Sequence, residues 1–356
     1  MDNKGVKELK KRFTKDKASF TRVCTCYVDS NKNKVAVSSQ RFLNLDEDVF
    51  YKYLEIAKKS LGGRFGNNLI NIDFPISSEE DGVQNLLMKM KNTELNNEDI
   101  LNTFYDHVID TYDYAGNYLI TLFMDNYDVI KKTEDNISID ESEETYSYII
   151  CAICPVELTK PALGFNEKTR EISASDRLWN VKAPETAFLF PAFNDRSSDI
   201  HSALFYTKNT KEPHTEFISA GLECEPTKTA DEKKMMFNHI IAATMGVENN
   251  SDALIDLNIE LNNQFLEENE TDREAAVIEE ENIKTALENT NISKENSDAI
   301  LKSYKETFKD ETVKPSDIID AKIIKENALV RELFLQINEL QERNRILEKE
   351  NMELKG

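Results

Sequence analysis

Four of the five cysteines stand in two close pairs, Cys24-Thr-Cys26 and Cys151-Ala-Ile-Cys154. Zinc is held tetrahedrally by four deprotonated sulfur or nitrogen ligands, so two such pairs form a candidate zinc site. The interval of two in the first pair is also the pleat period of a strand, which puts both thiols on one face. The interval of three in the second pair turns Cys151 and Cys154 to opposite faces of a regular strand. One metal cannot easily serve both unless the chain bends before Pro155. Free cysteine is among the most buried residue types, so the competing reading is four core thiols. No helix N-terminus follows Cys154, which argues against a redox CxxC.

The second candidate is the polar run Asn194-Asp-Arg-Ser-Ser-Asp-Ile-His201, set between the apolar segments Phe188–Phe193 and Ser202–Tyr206. Asp195, Asp199 and His201 would serve there as metal ligands or acid/base groups, and Arg196 as a bidentate clamp for a carboxylate or phosphate. Asp199 and His201 are two apart, so on a strand they share a face. The structural alternative is a loop in which Asp195 and Asp199 cap backbone N–H groups and Arg196 pairs internally. Gly62-Gly-Arg-Phe-Gly66 lacks the Lys-Ser/Thr ending of a phosphate loop and reads as a helix C-cap and turn. Trp179, the single tryptophan, can stack on a ligand, but its type points to the core. No Ser/His/Asp, HExxH or GxSxG pattern appears.

The elements around these residues follow from periodicity. Val6, Leu9 and Phe13 repeat at helical spacing. Ser19–Val28 and Val35–Phe42 read as a hairpin, and Asn44 with Glu47 as a helix start. A strand is expected over Leu69–Phe74, helices around Val83–Met90 and Ile100–Tyr112, and strands over Asn117–Met124 and Tyr146–Val156. Short strands and loops fill 161–206. From about residue 226 the pattern becomes helical and acidic, with one helix ending near Gly246. The expectation is an α+β body over 1–225, with a mixed or antiparallel sheet and flanking helices, then an acidic helical region over 226–320.

The last segment, 321–356, carries a heptad. Leu333, Leu340, Leu347 and Leu354 recur every seven residues, with Val330, Ile337, Asn344 and Asn351 three residues before each. β-Branched residues at a with Leu at d favour a parallel two-stranded coiled coil, and Asn at a fixes its register. A leucine-zipper-like homodimer is the expectation, against one amphipathic helix folded on its own body.

The chain has 356 residues and a net charge of −22, which argues against generic coating of nucleic acid or anionic membrane and leaves room for a local basic patch. Hydrophobic residues make up 40%, enough for a core. The charge is uneven: residues 1–22 hold eight basic and three acidic side chains, leaving −27 on the rest. Lys7, Lys10, Lys11 and Arg12 would form a basic helix face for nucleic acid or a protein, or a solvated surface. An odd cysteine count, a charged N-terminus without an apolar stretch, and no long apolar run point to a cytoplasmic protein off the membrane.

Four segments carry a resemblance: Thr21-Arg-Val-Cys-Thr-Cys-Tyr27, Tyr112-Asp-Tyr-Ala-Gly-Asn-Tyr118, Cys151-Ala-Ile-Cys-Pro-Val156, and Phe188-Leu-Phe-Pro-Ala-Phe-Asn-Asp-Arg-Ser-Ser-Asp-Ile-His201. Through about residue 310 the chain resembles the bacterial family known as domain of unknown function 4317. The resemblance implies a cytoplasmic protein of low-GC Gram-positive bacteria or their mobile elements, and carries no activity. The C-terminal zipper is expected to depart from that family, which usually ends in a short β-rich tail. The function expected is a homodimeric binding or scaffold protein contacting nucleic acid or another protein. The alternative is a metal-dependent hydrolase built on Asp195, Arg196, Asp199 and His201.

Overall fold

A computed structural model describes residues 1–75, 82–129, 144–194, 197–265, 276–309, 311–320 and 322–325. The chain divides into two compact units, 1–229 and 230–356.

The first unit is α+β. Its strands are β1 (Phe20–Val28), β2 (Lys34–Arg41), β3 (Leu69–Asp73), β4 (Asn117–Val129), β5 (Glu144–Leu158), β6 (Leu163–Asn166), β7 (Glu171–Ala174), β8 (Trp179–Val181), β9 (Thr186–Phe190), β10 (Ala192–Asn194), β11 (Ser197–Asp199) and β12 (Ser202–Thr207). Seven of them form one sheet in the order β2-β1-β4-β5-β9-β12-β3, and β8 adds to the end of β5. Every strand pair is antiparallel. Helices α1 (Asn3–Arg12), α2 (Glu47–Ser60), α3 (Val83–Asn92) and α4 (Glu98–Thr111) flank the sheet.

Strand alternation sends side chains to two separate cores. On one face Ile70, Ile72, Ile120, Leu122, Ile153 and Phe205 meet Leu87 and Met90 of α3 and Phe104, Tyr105 and Val108 of α4. On the other, Phe20, Phe123, Ile150, Leu189 and Leu204 meet Val6, Leu9 and Phe13 from α1 and Leu54 and Ala57 of α2. The centre of the sheet is thus buried on both faces, which explains the near-continuous apolar runs of β5 and β9, while the edge strand β2 stays exposed. Helix α1 starts where the Asp2 carboxylate accepts from the Gly5 N–H at 2.7 Å and ends on Lys10, Lys11 and Arg12, both favourable to its dipole. Helix α2 starts later than expected. Phe42–Asn44 forms a 3₁₀ turn, and Asp46 takes the N-cap position in place of Asn44. The glycine-rich run after α2 is a turn, with Gly63 at φ 79°, a conformation a Cβ would strain.

The second unit is helical: α5 (Ala230–Gln264), α6 (Glu280–Glu288), α7 (Lys294–Thr307) and one short turn of helix, Pro315–Ile318. The expected stop at Gly246 is found: Gly246 has φ 75° and ψ 175°, which ends one helix, and a second helix follows within the same span. Phe237, Ile241, Leu257, Leu261, Ile283 and Ile300 form this unit's core. Lys233 is nearly buried and donates to the Thr312 carbonyl at 2.8 Å and to Asp317 at 3.4 Å. Among the described residues no helix is long and apolar enough to cross a membrane. The heptad positions Val330, Leu333, Ile337, Leu340, Asn344, Leu347, Asn351 and Leu354 lie outside the described residues.

Candidate functional site

All five cysteines are free and buried. Cys24 and Cys26 sit on β1 opposite Leu122 and Ile120, and they share one core with Cys151. Cys154 belongs to the core on the other face of the sheet. No bend at Pro155 changes this, because Leu119↔Cys154 and Tyr118↔Pro155 continue the β4–β5 register. A single zinc site for Cys24, Cys26, Cys151 and Cys154 is therefore ruled out by the position of Cys154. Burial pushes the thiols up, Cys26 to about 11 and Cys154 to about 12, away from the thiolate that metal binding or catalysis needs. Among the described residues no group of three or more His, Cys, Asp or Glu is placed to hold a metal.

The polar run folds as a small hairpin, β10–β11, in which Ala192 pairs with Asp199 and Asn194 with Ser197. Asp195 and Arg196 at its tip lie outside the described residues. Asp199 ends β11, and its two carboxylate oxygens accept from the His201 backbone N–H and the Ser202 hydroxyl, each at 3.0 Å. This is the loop-capping role of a turn aspartate. His201 lies past the strand end. Its carbonyl accepts from Phe74 N–H, and the nearly buried Gln84 side chain donates to the Ile200 carbonyl at 2.7 Å and meets His201 Nδ1 at 3.3 Å. The next residue back, Val83, donates its N–H to Glu223. The N-terminus of α3 thus ties His201 and Glu223 to one end of the sheet. Replacing Asp199 with alanine removes both of these hydrogen bonds and is expected to cost about 1–3 kcal/mol, read from urea unfolding. His201→Ala should cost less, since its ring is exposed and its backbone carries the loop contacts. A loss of several kcal/mol in either variant would contradict this geometry.

The basic candidates separate. Lys7 and Lys11 are exposed, as is Lys4, and Lys10 is half-buried. Arg12 turns inward: it bonds Ser19 and lies 3.7 Å from the Asp125 carboxylate. Asp125 is 1% exposed and accepts from the Ser19 and Tyr148 hydroxyls. Burial raises its carboxyl pKa, while the Tyr148 and Ser19 hydrogen bonds and Arg12 pull it back. This network pins α1 and the start of β1 to β4 and β5.

Trp179 is not a core residue. It is 54% exposed on an arm that sequence reading missed. Beyond Val156 strand β5 leaves the sheet and pairs with β8, Leu158 opposite Trp179. Hydrogen bonds from Thr159 N to Leu178 O and from Ser175 N to Ala162 O, both 2.8 Å, carry the ladder on to β6–β7. From Glu157 to Lys182 no described side chain is buried.

An antiparallel sheet covered by helices on both faces, with a projecting two-stranded arm, defines the class. The chain belongs to the family described as Domain of unknown function (DUF4317), whose pattern matches residues 1–350. The match runs through most of the heptad segment. No curated protein matches the chain.

Proposed function

We propose that the chain is a cytoplasmic binding or scaffold protein, paired as a homodimer by its C-terminal coiled coil, that contacts nucleic acid through α1. The observation that carries the reading is the fixed orientation of α1. Val6, Leu9 and Phe13 are buried against the sheet, so Lys4, Lys7 and Lys11 form an exposed basic stripe on an otherwise acidic chain. Arg12 is removed from that stripe by its internal contacts. Five free thiols suit a reducing compartment. The hydrolase alternative needs Asp199 and His201 to face one substrate, whereas both Asp199 oxygens are engaged within its own loop.

Fluorescence anisotropy with labelled duplex DNA tests the reading. Three phosphate contacts predict a loss of about 40-fold in affinity between roughly 50 and 200 mM salt. Reversing Lys4, Lys7 and Lys11 to glutamate should abolish the signal while the chain stays folded, with a small fall in melting temperature because Lys11 leaves the last turn of α1. Binding that ignores salt, or survives the reversal, would eliminate α1 as the contact.

A further inference from the structure

The arm over 157–182 carries exposed apolar side chains that none of the described residues covers. Leu163 and Phe165 on β6 stand directly opposite Ala174 and Ile172 on β7, so these four share one face of the ladder. Leu163 is 81% exposed, Phe165 63% and Ile172 72%. Nearer the body, Leu178, Trp179 and Val181 are 63%, 54% and 44% exposed. A two-stranded ribbon is marginal in water unless a further layer packs on it. Leaving six large apolar side chains in solvent on such a ribbon is costly, and the layer that would cover them is absent from the described residues of this chain.

We propose that the arm is an interface for a second copy of this chain, arm against arm about a two-fold axis. Area is the first reason. Leu178 turns to the opposite face from its neighbour Trp179, and a large side chain can bury roughly 150–250 Å², so the exposed fractions of the other five come to about 600 Å² per chain. A monomer's largest patch is usually about 300–600 Å², and a standard interface takes about 800 Å² from each partner. Charge is the second reason. Two chains of −22 repel wherever their acidic surfaces meet, whereas the arm carries five basic and four acidic residues. It is a nearly neutral surface on which identical acidic copies can approach at little Coulomb cost. Symmetry is the third. A two-fold contact sets a patch against itself, and an apolar, near-neutral face is complementary to itself. The contact goes beyond the α1 reading and is separate from the heptad.

Trp179 is the chain's single tryptophan and lies within the patch, so its fluorescence reports the arm alone. The experiment follows Trp179 emission and acrylamide quenching of the full-length chain from about 0.1 to 100 µM, with mass by sedimentation. It is run on the native chain and on a Leu340→Asn, Leu347→Asn background that breaks the heptad. In that background Trp179 should become shielded over the same concentration range in which the mass doubles. Phe165→Asp with Ile172→Asp should remove both changes and leave the melting temperature of the body where it was. Trp179 equally quenchable at every concentration, with no mass change, would overturn the proposal and point to a different protein. Trp179 shielded at every concentration with monomeric mass would overturn it in favour of this chain's own segment 326–356. Shielding that vanishes once the heptad is broken would overturn the arm as an independent contact.

Discussion

Replacing Asp125 with alanine is expected to destabilise the first unit by about 3 kcal/mol, the lower end of what removing one partner of a buried ion pair costs. The value sits low because Arg12 keeps partial access to water, at 17% exposure, and can rehydrate in part. The Tyr148 hydroxyl is fully buried and cannot, and both it and the half-buried Ser19 hydroxyl lose their acceptor. Asp125→Asn should cost much less. It keeps an acceptor for Ser19 and removes a carboxylate that burial already pushes toward its protonated form. The two variants therefore separate loss of the network from loss of the charge. Urea unfolding of both, with Ser19→Ala as the third corner of a double-mutant cycle, measures the coupling. An alanine variant as stable as the asparagine one would mean that Asp125 does not hold α1 to the sheet.

The second large effect lies at alkaline pH. Burial raises all five thiols: Cys26 to about 11, Cys154 and Cys224 to about 12, and Cys24 and Cys151 in the same direction. An unfolded thiol ionises near its ordinary value of 9.0. A group raised on folding contributes stability that is complete below the unfolded value and is lost as pH rises through the folded one. Two pH units above the unfolded value, Cys154 alone has lost about 3 kcal/mol. Tyr105, Tyr112, Tyr146 and Tyr148 are raised by burial too and add to the loss higher up. Against a total stability of about 5–15 kcal/mol, the body should unfold by about pH 11. The melting temperature should be level from neutral pH to about pH 8 and fall steeply above about pH 9. A thiol reagent near pH 8 should find no cysteine in the folded chain and five in denaturant. A cysteine that reacts at the free-thiol rate in the folded chain would show that its core is open.

The elements that sequence reading placed well are those whose burial follows a period. Val6, Leu9 and Phe13 mark the buried side of α1, and the interval between Cys151 and Cys154 marks the two faces of β5. The arm was missed because alternation reveals that one face is apolar, not whether anything covers it. Leu163, Phe165 and Ile172 read as ordinary strand residues, and Trp179 reads as core. Their spacing about the polar turn Glu167–Arg170 was the available signal for a hairpin. Arg12 was misread for a different reason. Its partner Asp125 is remote in sequence, and nothing local distinguishes an inward arginine from its outward lysine neighbours. Asp199 was half legible, since a turn aspartate before a strand has both a capping and a ligand role, and only the hydrogen bonds to His201 and Ser202 choose between them.

The strand order also sets a timetable for synthesis. β1, β2, β4 and β5 pair with one another nearly in the order in which they leave the ribosome, but β3 emerges between β2 and β4 and pairs with β12 at the far edge. β12 begins about 130 residues after β3 ends. At roughly 5–20 residues per second that gap lasts on the order of ten seconds. During it Leu69, Ile70 and Ile72 lack their ladder and stay open to wrong partners. The nascent chain should thus depend on a holding chaperone for that interval, and a release from the ribosome before residue 207 should yield aggregate in place of a shorter folded body.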